Sequence, residues 1–170
     1  SKETDDPHRA SCPFSLLRNG FVLSEGAAVL CLEERESALA RGANILGEIT
    51  GYANFSDAYD FTSPAEDCLA RVATITHALK QAGLPPEAVD YINAHGTSTP
   101  LNDLNETDAL KLALGQAAYT TPISSTKSWS GHLIAAAGSF ESIICLQAIA
   151  SGIMPATANL TKPDANCDLD

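Results

Sequence analysis

The sequence predicts an α/β fold, and three observations carry that reading. Short β-like runs alternate with helical ones from residue 20 to residue 151, the pattern of a layered α/β protein. Hydrophobic residues make up 45% of the 170, enough for one full core. Two glycine-flanked turns, Asn93-Ala94-His95-Gly96-Thr97-Ser98-Thr99 and Lys127-Ser128-Trp129-Ser130-Gly131-His132, each follow a β-like run and precede a helical one. Turns so placed lie beyond the carboxyl ends of strands, where open α/β sheets bind ligands.

Residues 1–17 are polar and irregular, and Pro7 and Pro13 prevent a continuous helix there. Residues 20–23 and 27–32 are expected to be strands, interrupted by Ser24-Glu25-Gly26. A short helix is expected over 33–41, closed by Gly42 just past its end, followed by a strand over 45–53. A loop over 54–64 carries Phe55, Tyr59 and Phe61. Ser63-Pro64-Ala65-Glu66 is a helix-start signal, with a capping hydroxyl, a proline suited to the first turn and a capping-box glutamate. The helix after it is expected to bury Leu69, Val72, Ala73, Thr76, Leu79 and the stem of Lys80 at three-to-four spacing, and to end at Gly83. His77 on that helix reads as structural or exposed. Residues 91–94 and 121–126 read as strands, and 103–114 as a helix with Gly115 behind it. A long helix over 132–151 is closed by Gly152. No internal repeat interrupts this order, so residues 1–170 read as one continuous piece of fold.

A formal charge of −11 argues against nucleic acid, which needs clustered Lys and Arg, and against an anionic membrane surface. The apolar stretch over 133–150 contains Glu141 and lacks the flanks of a membrane span, so it is expected to be a buried helix of a soluble protein. Nothing at the N-terminus reads as a signal peptide. The five cysteines show no metal spacing; Cys31 and Cys145 lie in apolar runs and read as core residues. A reducing compartment is expected, the cytoplasm or else an organelle such as a plastid or mitochondrion. No metal site is expected.

Two imidazoles, His95 and His132, and the ammonium of Lys127 converging at a strand-end mouth are equipped to polarise a carbonyl or stabilise an enolate. The plain alternative is a pair of satisfied histidines and a surface lysine. Glu141 stands in the middle of an apolar helix, where an unpaired carboxylate costs several kcal/mol, on the order of the desolvation of one ion. It therefore either faces solvent or organises a polar site.

These residues resemble the β-ketoacyl-acyl-carrier-protein synthases, the condensing enzymes of fatty acid synthesis, and most closely the synthase II type. The likeness runs through Arg18-Asn19-Gly20-Phe21-Val22, Asp57-Ala58-Tyr59 with Thr62-Ser63-Pro64, residues 91–103, residues 124–137 and Cys167-Asp168-Leu169-Asp170, in the family's order. The resemblance implies a thiolase-like layered α-β-α-β-α sandwich, incomplete in this chain, with residues 1–170 covering the end of its N-terminal half and most of its C-terminal half. It implies decarboxylative condensation of an acyl thioester with malonyl-acyl carrier protein, in fatty acid or polyketide elongation, by a homodimer. His95, His132 and Lys127 match the family's catalytic residues. Thr62, Thr97 and Thr99 match substrate-binding threonines that hold the phosphopantetheine arm. Asn93, Asp103, Glu106 and Glu141 match residues that organise the site. No cofactor is implied beyond phosphopantetheine on the carrier protein, with a structural monovalent cation possible at Glu141 and Asn93.

The family's nucleophilic cysteine is expected upstream of Ser1, and its Phe-Gly-Gly segment downstream of Asp170. Trp129 and Phe140 stand where smaller residues are usual, a change that reshapes an acyl pocket or repacks the core. Two rival readings keep the same family: a malonyl decarboxylase with glutamine in place of the cysteine, and a non-catalytic chain-length-factor-like partner subunit. Docking of the acidic carrier protein is expected mostly outside this segment, with Lys2, Arg9 and Arg18 as the local basic candidates.

Overall fold

The computed structural model describes residues 6–61 and 63–169. Two parallel strands lie at its centre, β1 (Ile92–Asn93) and β2 (Ile123–Ser124), with Ile92 opposite Ile123 and Asn93 opposite Ser124. The ladder extends to either side through Ile92 N–H to the Pro122 carbonyl at 3.0 Å and Ala94 N–H to the Ser124 carbonyl at 2.8 Å. Ile92 and Ile123 pack against a core of Leu110, Leu114, Ala117 and Ala118, which Ile75 and Leu79 close from a neighbouring helix.

Those helices are α2 (Leu69–Ala82) and α3 (Pro100–Leu114), preceded by the short α1 (Arg35–Ala40). α1 falls within its expected span. The Glu34 carboxylate caps it by accepting from Ser37 N–H at 2.8 Å, and Gly42 follows in the left-handed region at φ 69°. α3 begins with Pro100 in its first turn, where the missing N–H costs nothing. α2 departs from expectation, starting at Leu69 rather than behind Ser63. Asp57 takes the Ala65 N–H at 2.9 Å and Cys68 turns left-handed at φ 47°, so the capping signal is spent on a loop. Its inward face is set by Ile75 and Leu79, while Leu69 is 61% exposed. His77 is exposed and meets the Phe55 ring edge-on at 4.9 Å.

The expected strands over 20–23, 27–32 and 45–53 run without regular pairing. Their patterns are β-like, but a strand exists only when a neighbour takes its N–H and C=O groups. Among the described residues the one bridge they make joins Leu23 to His132. Val29 is 88% exposed in consequence, and Leu32 and Ile49 are exposed too.

After β2 come α4 (Lys127–Ser130), a single 3-10 turn (Ile134–Ala136) and α5 (Ala137–Ser151), closed by Gly152 at φ 70°. The helix thus begins five residues later than expected, and it is not buried: Ala137 is the buried residue along it. Its apolar residues are not confined to one face, and apart from Ala137 they are half-buried or exposed. Residues 134–151 are long and apolar enough to cross a membrane by length and composition. Glu141 in their middle is committed to an ion pair with Lys127. Among the cysteines, Cys12, Cys68 and Cys167 are buried, whereas Cys31 is exposed and Cys145 half-buried, so neither of the last two is a core residue; all five are free thiols.

Candidate active site

Both histidine turns leave the same end of the two-stranded sheet. Behind β1, Gly96 lies at φ 35° and Ser98 at φ 68°, so the chain doubles back through two left-handed residues. A Cβ on Gly96 would stand 2.4 Å from the Ser125 Cβ, which is why only glycine lets the two turns approach. Ser125 Oγ donates to the Gly96 carbonyl at 2.6 Å and locks them together. The fully buried Ser98 accepts Cys12 N–H at 3.0 Å, tying the N-terminal segment beneath. Glu106, from the second turn of α3, accepts His95 N–H and Gly96 N–H, each at 2.7 Å.

Behind β2, α4 ends at Gly131, φ 68°. His132 then donates its N–H to the Val22 carbonyl at 2.7 Å, and its own carbonyl accepts Ser24 N–H at 3.1 Å. The two imidazoles stand edge to face, centroids 5.3 Å apart at 86°. Phe21 meets the His132 ring at 5.6 Å from another side.

His132 Nδ1 accepts the Ile134 N–H at 3.0 Å, which leaves Nε2 to carry the ring proton of the neutral imidazole. The long helix expected from residue 132 begins only at Ala137, and the donor is one backbone N–H. Ile134 holds it in place at φ 54°, a conformation that costs a β-branched residue on the order of 1–2 kcal/mol.

Lys127 is 2% exposed, and its Nζ donates to Glu141 Oε1 at 2.5 Å. Burial first, then the Lys127 charge, holds the His95 imidazole down to about 4, with His132 and Arg71 adding to the effect. The same two causes lower His132. Both shifts favour the uncharged imidazole at neutral pH. Burial pushes the Asp103 and Glu106 carboxyls up, while the N–H groups that each accepts pull the other way.

Asp103, fully buried, accepts Phe14 N–H at 2.9 Å and lies 3.8 Å from Arg18 Nε, whose Nη1 reaches Asp164 Oδ2 at 2.7 Å. Arg18 is thus the buried centre of an ion triad joining three chain segments, and it is not a surface contact for a carrier protein. Arg9 is exposed beside Asp6, and Lys2 lies outside the described residues. Thr97 and Thr99 share a hydrogen bond of 2.9 Å on the rim of the His95 turn. Asn93 donates to Tyr91 Oη at 3.1 Å and to Thr126 Oγ1 at 3.3 Å, and lines the same groove as Glu141. Thr62 lies outside the described residues. Trp129 is 71% exposed, its Nε1 donating to the Ala156 carbonyl at 2.9 Å, so it neither lines this groove nor repacks a core.

The structure therefore brings His95, His132, Lys127 and Glu141 to one place, with Asp103 and Glu106 beneath. Sequence reasoning did not find the Arg18 triad, the Ser125–Gly96 clasp or the strained Ile134. Each depends on contacts between distant segments, and nothing in the local pattern marks them.

Residues 46–161 match the family profile described as beta-ketoacyl synthase, C-terminal domain. The chain belongs to the β-ketoacyl synthase family. It is 54% identical to the 3-oxoacyl-[acyl-carrier-protein] synthase 2 of Synechocystis over all 170 residues, which are 41% of that protein. It is 47% identical to the ketoacyl synthase alpha subunit of the tetracenomycin polyketide synthase of Streptomyces glaucescens, again over its full length and 40% of that protein. The chain spans about two-fifths of the length of these curated synthases. A solved type II polyketide ketosynthase, bound to its acyl carrier protein and a hexaketide, superposes with TM-score 0.96 at 45% identity, over 100% of this chain and 42% of that one. A β-ketoacyl synthase from Burkholderia phymatum superposes with TM-score 0.92 at 38% identity, over 99% and 41%. The fold of this synthase segment is accordingly the thiolase-like ketosynthase fold.

Proposed function

We propose that this chain supplies the decarboxylation and condensation half-site of a β-ketoacyl synthase acting in fatty acid or polyketide elongation. The observation that carries the reading is the pair of facing imidazoles 5.3 Å apart, with the His132 proton directed to Nε2 by Ile134 and with burial and Lys127 favouring the neutral rings. When the C–C bond of a malonyl thioester breaks, carbon dioxide leaves and its bonding electrons remain as an enolate. The developing charge on the thioester oxygen is met by imidazole N–H donors that are already in place. The enolate carbon then attacks an acyl thioester; a C–C bond forms and the acyl group's sulfur leaves as thiolate. On this reading the acyl-bearing cysteine lies outside residues 1–170, which form the end of the N-terminal half and most of the C-terminal half of a longer synthase. Thr97 and Thr99, with Thr62, hold the phosphopantetheine arm, and Asn93, Asp103, Glu106 and Glu141 organise the site.

The partner is an acyl carrier protein, by analogy with the similar ketosynthase solved in complex with one. With a charge of −11 here and Arg18 buried, its docking surface belongs mainly to other residues. A homodimer in the cytoplasm or an organelle, apart from nucleic acid and membranes, completes the proposal. A monovalent cation at Glu141 and Asn93 would compete with the Lys127 ammonium for the same carboxylate. The curated relatives are synthases, which favours condensation over a decarboxylase or a silent partner subunit. The test is carbon dioxide release from malonyl-acyl carrier protein by the complete synthase. His95→Ala and His132→Ala are each expected to lose at least about 100-fold while the fold persists. Near-normal release by either variant overturns the assignment.

A further inference from the structure

The support of the His95 turn does not end at Glu106. Asn102, buried in the first turn of α3, donates its Nδ2 to Asp103 Oδ1 at 3.1 Å and reaches Glu106 Oε2 at 3.5 Å. Its Oδ1 accepts from Arg71 Nη2 at 2.9 Å, and its backbone carbonyl lies 3.5 Å from Nη1. Arg71 comes from α2, so one amide joins a guanidinium on one helix to the buried Asp103 and half-buried Glu106 carboxylates on the next.

An asparagine amide has an oxygen face and an NH₂ face. Turned the wrong way, Asn102 would aim its oxygen at Asp103 and Glu106 and repel both. A guanidinium only donates, so Arg71 accepts no orientation but the one in which the Asn102 oxygen faces it. We propose that Arg71 and Asn102 are positioning residues for the His95 turn: Arg71 fixes the Asn102 amide, Asn102 supports Glu106, and Glu106 holds the His95 and Gly96 backbone. The proposal rests on the condensing function above, and neither residue touches the reacting atoms.

Arg71 has a second, electrostatic consequence. The groups that face the His95 ring are Lys127 and His132 from the β2 side and Arg71 from α2, with the Glu106 carboxylate under its backbone. Removing the Arg71 charge takes away one cation that disfavours imidazolium, so His95 becomes easier to protonate. A mere strut between α2 and α3 would have neither effect.

The experiment compares Arg71→Leu, Arg71→Lys, Asn102→Ala and the Arg71→Leu/Asn102→Ala double variant in the complete synthase. The first readout is hydrogen exchange at the His95 and Gly96 amides, and the second is the pH profile of malonyl-acyl carrier protein decarboxylation. Arg71→Leu and Asn102→Ala are each expected to speed exchange at these two amides and to lower kcat by about 10-fold, part of the loss that follows a misplaced catalytic group. KM is expected to stay within about twofold, because malonyl binding is not what the relay supports. On the pH plateau, where His95 is neutral in every variant, the double variant is expected to have a kcat no lower than Asn102→Ala, because the two act in series on the backbone. The acid limb moves to higher pH in Arg71→Leu and stays in place in Arg71→Lys, which keeps the charge. Unchanged exchange and kcat in folded Arg71→Leu, or plateau losses that add in the double variant, overturn the relay. Should the parent synthase not decarboxylate malonyl thioesters, the functional reading fails, and amide exchange in the variants still decides the relay.

Discussion

Lys127 is where a single ammonium touches most of the chemistry: it is bonded to Glu141 and depresses both imidazoles. Glu141→Gln leaves that buried cation without its counter-charge and is expected to cost about 3 kcal/mol, the low end for breaking a buried pair. Denaturant unfolding and turnover of the complete synthase check it. An unchanged midpoint and rate would return Glu141 to the role of a solvated side chain. The histidines make a pH prediction. The folded His95 binds its proton only near pH 4, whereas the unfolded one binds it near its ordinary 6.5. Between those values the unfolded state holds more protons, so stability is lost as pH falls from about 6.5 towards 4. His95→Asn is expected to flatten that part of the stability curve, measured as the unfolding midpoint against pH.

At the scale of elements, the turns matter more than the helices they join. A Cβ at Gly131 would lie 2.9 Å from Ser24 Cβ and 3.0 Å from the Val22 carbonyl, in a left-handed backbone at φ 68°. Gly83 has the same kind of φ, 69°, with nothing within 4 Å. Gly83→Ala is thus expected to cost only the conformational term, about 1 kcal/mol, with decarboxylation intact. Gly131→Ala is expected to cost more and also to shift His132 from His95, cutting decarboxylation about 10-fold or more. Equal effects of the two variants on activity would show that the approach of the turn to Val22 and Ser24 does not position His132.

At the scale of the molecule, the exposed apolar surface stands out. Val29, Leu32, Ile49, Ile149 and Ile153 face solvent on extended segments and on or beside α5. Residues 1–170 produced alone are expected to bind a dye of exposed apolar surface and to self-associate, seen by ANS fluorescence and light scattering. They are also expected to lack condensing activity. Burial pushes the Cys68, Cys145 and Cys167 thiols up, away from the thiolate that attacks an acyl group. Acylation of the isolated segment followed by chain extension would overturn this.

The local pattern by itself determined the α/β class, the existence of α2, α3 and α5, the glycines that end α1 and α2, and the two histidine turns. Glycine-flanked turns and helical spacing are signals that residues a few positions apart supply to one another. Family resemblance added the ketosynthase assignment and the roles expected of His95, His132, Lys127 and Glu141. Only tertiary structure decided that Glu141 answers Lys127, that Glu106 grips the His95 backbone, and that Arg18 sits buried between Asp103 and Asp164. It also decided that residues 27–32 and 45–53, β-like in pattern, find no regular pairing among the described residues. The physical reason is common to all of these. A buried charge or an extended backbone is satisfied by whichever group long-range folding brings to it, and no local window of sequence contains that partner.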